Sequence, residues 1–165
     1  MNVADLNGLA LDYWVARGLH DFVREIHFTD SGRTVSIRGN DHGRPWDGRF
    51  TPSTSWEAAA VVLERAQSLE IRERARTGAA WCVAQFDGSG ERSVEARGES
   101  LQIALLRAFV RSRFGDTVDD VLMQSQALFG ARAEPVGEQT TARMVDDPPS
   151  PDARIGDIKS VARSG

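Results

Sequence analysis

The chain has 165 residues, 41% of them apolar and 27% charged, and its 20 Lys and Arg against 24 Asp and Glu give a formal net charge of −4. That is enough apolar material for one core of ordinary domain size, and the acidic balance argues against a protein held to long nucleic acid by bulk positive charge. No apolar run approaches the roughly 20 residues that span a bilayer, and Asp5 and Asn7 interrupt any signal-like start, so a cytoplasmic protein without a membrane partner is expected.

Asn7 is placed to cap a helix beginning at Gly8. Leu11, Trp14, Val15 and Leu19 recur at helical spacing, Asp12 and Arg17 fall towards the other side, and Gly18 is a stop. Two strands, Arg24 to Thr29 and Arg33 to Arg38, follow across an Asp30-Ser31-Gly32 turn. Residues 39–54 carry Gly39, Gly43, Gly48, Pro45 and Pro52, a density of breakers that predicts a structured loop. A short helix is expected to start at Ser55 and cover Trp56 to about Ala66. Residues 68–96 then read as an antiparallel meander, with turns at Thr77-Gly78 and at Asp87-Gly88-Ser89-Gly90.

The strongest helical signal is Leu101 to Phe114, between a Ser100 cap and a Gly115 stop. Leu101, Ala104, Leu105, Ala108 and Phe109 form one apolar stripe, widened by Ile103, Leu106 and Val110, while Arg107 and Arg111 share one exposed edge at i and i+4. So much apolar surface predicts cover by the sheet and by a second subunit, hence a homo-oligomer. A final helix is predicted for about Val118 to Phe129. From Gly130 the composition turns polar and proline-bearing, with five basic and six acidic residues. It reads as a flexible, disordered tail, with a partner-binding segment near Ile155 to Val161 as the alternative. The expected fold is therefore α+β: one domain over residues 1–129, an antiparallel sheet packed by two main helices, followed by the tail at 130–165.

Chemistry is constrained by what is scarce. Lys159 is the one lysine, far down the tail, so the folded part has none for a P-loop or a Schiff base. Cys82 is alone, which removes an internal disulfide and a cysteine zinc cluster and leaves a small buried apolar side chain as its expected role. His20, His27 and His42 form no paired helical motif for a metal. Asp41-His42 is a weak candidate for acid/base work or metal binding, outweighed by two solvated loop residues. No catalytic constellation, metal site or cofactor is expected.

The unusual segment is residues 40–56, with two of the four tryptophans, two arginines, glycines and hydroxyls. Tryptophan stacks on bases, arginine grips phosphate with two donors, and a helix start at Ser55 favours an anion. Arg44, Trp46, Arg49, Ser53, Thr54 and Trp56 are accordingly candidate ligands for a small nucleotide-derived anion, with Arg107 and Arg111 reaching in from the helix edge. The alternative is that Trp46, Phe50 and Trp56 plug the sheet edge while the arginines are solvated.

Three ordered blocks carry a family resemblance: residues 5–17 (Asp5-Leu6-Asn7-Gly8-Leu9 through Arg17), residues 50–56 (Phe50-Thr51-Pro52-Ser53-Thr54-Ser55-Trp56) with Glu64 beyond, and residues 104–118 (Ala104-Leu105-Leu106-Arg107-Ala108-Phe109 through Val118). Together they resemble the NinX-like family of small proteins from tailed phages and prophages. The chain reads Ala59-Ala60-Val61 where that family usually shows Gly-Gly-Pro, and Gly98-Glu99-Ser100-Leu101 where it shows Gly-Pro-Thr-Pro. The resemblance implies a phage accessory protein in the host cytoplasm and specifies no reaction. Joined to the loop chemistry, it implies a non-catalytic sponge that sequesters a nucleotide signal of bacterial anti-phage immunity. The alternative is a protein-interaction factor that binds and redirects a host or phage enzyme.

Overall fold

The computed structural model describes residues 1–88 and 92–136. Residues 1–123 with 128–133 make up the main body, and residues 124–127 with 134–136 belong to a second unit. After a single 3-10 turn at Val3–Asp5 come α1 (Gly8–Gly18), β1 (Val23–Thr29), β2 (Thr34–Asp41), β3 (Arg44–Arg49) and α2 (Trp56–Leu63). Then follow β4 (Ala66–Arg74), β5 (Ala80–Phe86), β6 (Val94–Gly98), α3 (Leu101–Phe114), β7 (Gln126–Phe129) and β8 (Arg132–Pro135). The fold is α+β, as expected, but with two antiparallel sheets rather than one. Their orders are β3-β2-β1-β7-β8 and β4-β5-β6, the last two strands of the first entering the main body through Leu128–Ala133.

The two long helices lie between these sheets. α1 packs on β1 and β2, α3 packs on β5 and β6, and the helices pack on each other. Trp14 meets Phe114 edge-on at 5.2 Å, Tyr13 stacks on Phe28 at 5.9 Å, and Phe86 meets Phe109 at 5.3 Å. α3 runs over the residues predicted for it, and Ser100 Oγ accepts from Ile103 N as an N-cap should. Its apolar circumference is covered by this chain's own elements, with Leu105, Leu106, Phe109 and Val110 buried. α1 also keeps its predicted span, though Asn7 makes no capping bond from its side chain and instead donates to Asp5 O at 3.4 Å. Enclosed by sheet and helix, α1 buries Asp12, which the helical pattern had placed outside.

Three expectations need correction. The predicted loop at residues 39–54 is largely a hairpin, because β2 continues to Asp41 and turns back into β3. His42 and Gly43 both sit at positive φ, 52° and 87°, the backbone that a two-residue turn between twisted strands requires. Pro45 is tolerated because β3 is an edge strand whose outer side needs no N–H. The helix predicted for Val118 to Phe129 does not form. Val118 N–H instead donates to Met1 O at 2.9 Å and Val3 N–H to Asp116 O at 2.9 Å, so the chain leaving α3 is tied to the N-terminal segment before β7 begins. The second helix ends at Leu63, and Ala66 already belongs to β4.

The tail expectation fails at its start, where Arg132–Pro135 is a strand; within the second unit, Val136 N–H donates to Ser125 O at 2.8 Å. The rest of that segment, Ile155 to Val161 included, and the Ser89-Gly90 half of the predicted turn lie outside the described residues.

β6 lies so close to α3 that only a glycine fits at its end. A Cβ at Gly98 would come within 2.6 Å of Ala104 N and 2.9 Å of Ile103 Cγ2, and backbone in a helix does not yield. Gly98→Ala is expected to lower unfolding free energy by about 1–3 kcal/mol, the usual cost of overpacking. Urea denaturation measures it, and unchanged stability would contradict this packing.

Candidate functional site

The candidate residues named from the sequence do not converge on one cavity. Trp46, on β3, packs edge-on against Phe22 and Phe50 at 6.3 and 5.4 Å, and its Nε1–H donates to Arg49 O at 3.1 Å. With Arg44 it lines a cleft of about 350 Å³ whose other walls include Asp41, Glu57 and Glu64. Arg44 there lies 3.4 Å from both Asp41 and Glu64. Arg49 turns the other way and pairs with Asp30 at 3.3 Å. Thr54 Oγ1 donates to Thr51 O at 3.4 Å, and Trp56, at the start of α2, is 49% exposed.

Ser53 is committed to the core. Its N–H and Oγ–H donate to the two Asp12 oxygens at 2.7 and 3.1 Å, clamping the turn after β3 onto α1. Burial pushes the Asp12 carboxyl up to about 6 from 3.8, although the Ser53 hydrogen bonds favour the anion. Asp41, half of the weak Asp-His candidate, is also buried and structural. It accepts from Arg65 Nη2 at 2.9 Å, and Arg65 also bonds Asp21 at 2.9 Å and Val61 O at 2.9 Å. Burial alone would raise the Asp21 carboxyl, but Arg65 holds it below its ordinary value. Cys82 is fully buried and burial pushes its thiol up to about 11, which suits an inert packing residue.

Arg107 and Arg111 stand elsewhere, in a cleft of about 680 Å³ between the N-terminal 3-10 turn, β6 and α3. Arg107 is buried. Its Nε–H donates to Leu6 O at 2.8 Å and its Nη1–H to Arg97 O at 2.9 Å, with Glu99 3.2 Å away. One turn on, Arg111 donates from Nη1 to Glu95 O at 2.8 Å and pairs through Nε with Asp116 at 2.6 Å. The i, i+4 spacing thus matches the two-residue repeat of outward carbonyls on β6. Each guanidinium keeps its Nη2 without a protein partner among the described residues.

Two residues that the sequence did not single out complete this region. The Arg97 guanidinium lies 4.3 Å over the Trp81 ring, and Arg72 lies 5.9 Å from the same ring. Trp81 faces Arg97 across the β5–β6 ladder, on the sheet face opposite α3. A second cleft of about 210 Å³, lined by Trp81, shares Ala79, Arg97 and Gly98 with the large one. The combined surface offers an aromatic ring, three arginines and five carboxylates (Asp5, Glu73, Glu95, Glu99 and Asp116). The alternation of β5 held the available signal, since Trp81 and Val83 face away from the Cys82 side.

These features define a small α+β protein with a half-open cleft in which arginines are held by backbone carbonyls. A family model described as Bacteriophage P22, NinX matches residues 2–113, and the chain belongs to that family; it is a phage or prophage accessory protein. No curated protein matches the chain. Among the described residues, no helix is long and apolar enough to cross a membrane.

The raised Asp12 carboxyl makes stability depend on pH with a definite sign. Between about pH 4 and 6 the folded state binds more protons here than the unfolded chain, so this group's contribution to stability falls as pH rises through that window. A rise from 3.8 to about 6 corresponds to about 3 kcal/mol at full ionisation. Asp12→Asn, which keeps an acceptor for Ser53 N–H, is expected to lose this component and to gain stability relative to wild type as pH goes from 4.5 to 7. Parallel urea titrations of the two proteins across that range check it; parallel curves would refute the assignment.

Proposed function

We propose that the protein is a non-catalytic binding factor that takes up a small nucleotide-derived anion, a sponge for a nucleotide signal of bacterial anti-phage immunity. The observation that carries this reading is the pair of clefts joined at Arg97, whose guanidinium stacks on Trp81 while Arg107 and Arg111 stand on the other side. A volume of about 680 Å³ is of the size usual for small-molecule sites. Arginines already fixed by carbonyls lose little freedom on meeting phosphate, so their contacts are preorganised. The carboxylates of Glu99 and Asp116 are mostly exposed and can swing into water when an anion displaces them. Trp81 with its arginines supplies a face for a base, as aromatic platforms do. Sequestration rather than turnover is favoured because the carboxyl with a raised pKa, Asp12, is sealed under Ser53, and the thiol is buried. The loop residues named from sequence form the comparison arm of the test.

Purified protein incubated with a nucleotide mixture should retain a compound that is recovered intact after heat denaturation. In calorimetric titration with that compound, Arg97→Ala and Arg111→Ala should each weaken binding about ten- to a hundredfold, the loss of one charge-assisted contact. Arg44→Ala and Arg49→Ala should bind as wild type. Retention of no nucleotide would end the proposal. Loss of affinity in the Arg44 and Arg49 variants alone would move the site to the β2–β3 hairpin.

A further inference from the structure

The two edges of the β4-β5-β6 sheet are finished differently. On β6, the outward carbonyls of Glu95 and Arg97 accept from Arg111 and Arg107, so α3 closes that edge. On β4 the nine residues Ala66–Arg74 have β5 on one side and, among the described residues, no strand on the other. Among the described residues no other element bonds the outer backbone of Ser68 to Arg74. An edge of this length with open donors and acceptors is a template for another strand.

The side chains of β4 say which strand it fits. Ile71 pairs in register with Cys82, and Leu69 with Ala84. Cys82 and Ala84 are fully buried, yet Ile71 on the same face is 45% exposed. The apolar layer under α3 therefore runs past the cover that the helix supplies and stops at the open edge. On the opposite face Glu70 and Arg72 flank Ile71 and lie 3.2 Å apart. In an antiparallel pair with a two-fold axis at Ile71, Glu70 would face Arg72 of a second copy, and Arg72 would face the second copy's Glu70. The two Ile71 side chains would meet on the uncovered apolar face. This strand is complementary to itself in both charge and apolarity, as a symmetric interface requires.

We propose that β4 is a homodimerisation edge, joining two copies of the chain in an antiparallel β4–β4 pair centred on Ile71 to make one continuous six-stranded sheet. The charged residues and the bulges at Ala66/Ser68 and Ile71/Glu73 keep the edge from accepting strands of arbitrary sequence, while leaving the self-complementary register open. The inference rests on the fold and is independent of any ligand.

Sedimentation equilibrium on the full chain from about 1 to about 100 μM tests it, because a dimer's mass is concentration-dependent. Wild type should reach twice 18.1 kDa. Ile71→Lys should remain monomeric with an unchanged melting temperature at low concentration, since the side chain is already half exposed. Glu70→Arg and Arg72→Glu should each weaken the dimer by about tenfold or more, by setting like charges opposite one another. The double variant should recover it. A wild-type monomer throughout, a dimer that survives Ile71→Lys, or no recovery in the charge swap would overturn the proposal.

Discussion

Everything in the main body is arranged around the enclosure of α3. The helix carries apolar side chains on most of its circumference, and it can be buried only if its two inward-edge arginines find partners on the way. They find them in β6. Arg107 and Arg111 reach the carbonyls of Arg97 and Glu95, while Arg107 also takes Leu6 O. A buried guanidinium without such acceptors would cost several kcal/mol. With them, the same groups fix the distance between helix and strand, close a sheet edge and hold the N-terminal segment down. Gly98 belongs to this constraint, because only a residue without Cβ lets β6 come so near to the helix backbone.

The other sheet is fastened by different chemistry. Asp12 on α1 holds the turn after β3 through Ser53, and Arg65 at the entrance to β4 bridges Asp21 and Asp41 from either side of β1 and β2. Desolvation lowers the affinity of Arg65 for its proton, but its carboxylate partners outweigh that and raise it. The result is a set of polar clamps at the points where helix, hairpin and sheet meet. Each replaces bonds to water that burial removed, so its value lies less in net stability than in fixing one register among several that apolar packing alone would allow.

How much of this was legible followed from the range of each determinant. α1 and α3 were readable because periodicity and stop signals are local, and the Ser100 cap and Gly115 stop fell where α3 begins and ends. The β2–β3 hairpin was not, because Gly43 and Pro45 signal a break without telling a turn between strands from a loop; the strand pairing that decides it is non-local. Residues 118–129 carried enough apolar side chains for a helix, but the bond from Val118 to Met1 O spans nearly the whole main body. Of the candidate site, the i, i+4 placement of Arg107 and Arg111 was visible, whereas their targets on β6 were not. Arg97 and Trp81 stayed hidden because they are sixteen positions apart and meet only through strand pairing. Asp12 went astray because a helix covered on both sides has no outer face for a pattern to mark.

The proposed uptake of an anion by an acidic protein rests on how its arginines are held. Net charge acts over distances that salt screens within about 10 Å, whereas a guanidinium held at a cleft wall acts at contact. Arg44 pairs with buried Asp41 and exposed Glu64, both at 3.4 Å, and Arg49 with exposed Asp30 at 3.3 Å; the pairs between exposed groups add little to stability. Arg107 and Arg111 spend part of their charge on neutral carbonyls, which orient a guanidinium without cancelling it. A carbonyl-held arginine keeps its full positive charge, and the carboxylates nearby are exposed side chains that water can solvate once displaced. The same hydrogen bonds that close the β6 edge therefore fix Arg107 and Arg111 at the cleft wall, each also paired with an exposed carboxylate, Glu99 at 3.2 Å and Asp116 at 2.6 Å, so the structural demand of enclosing α3 sets the position of the cations that the proposed binding would use.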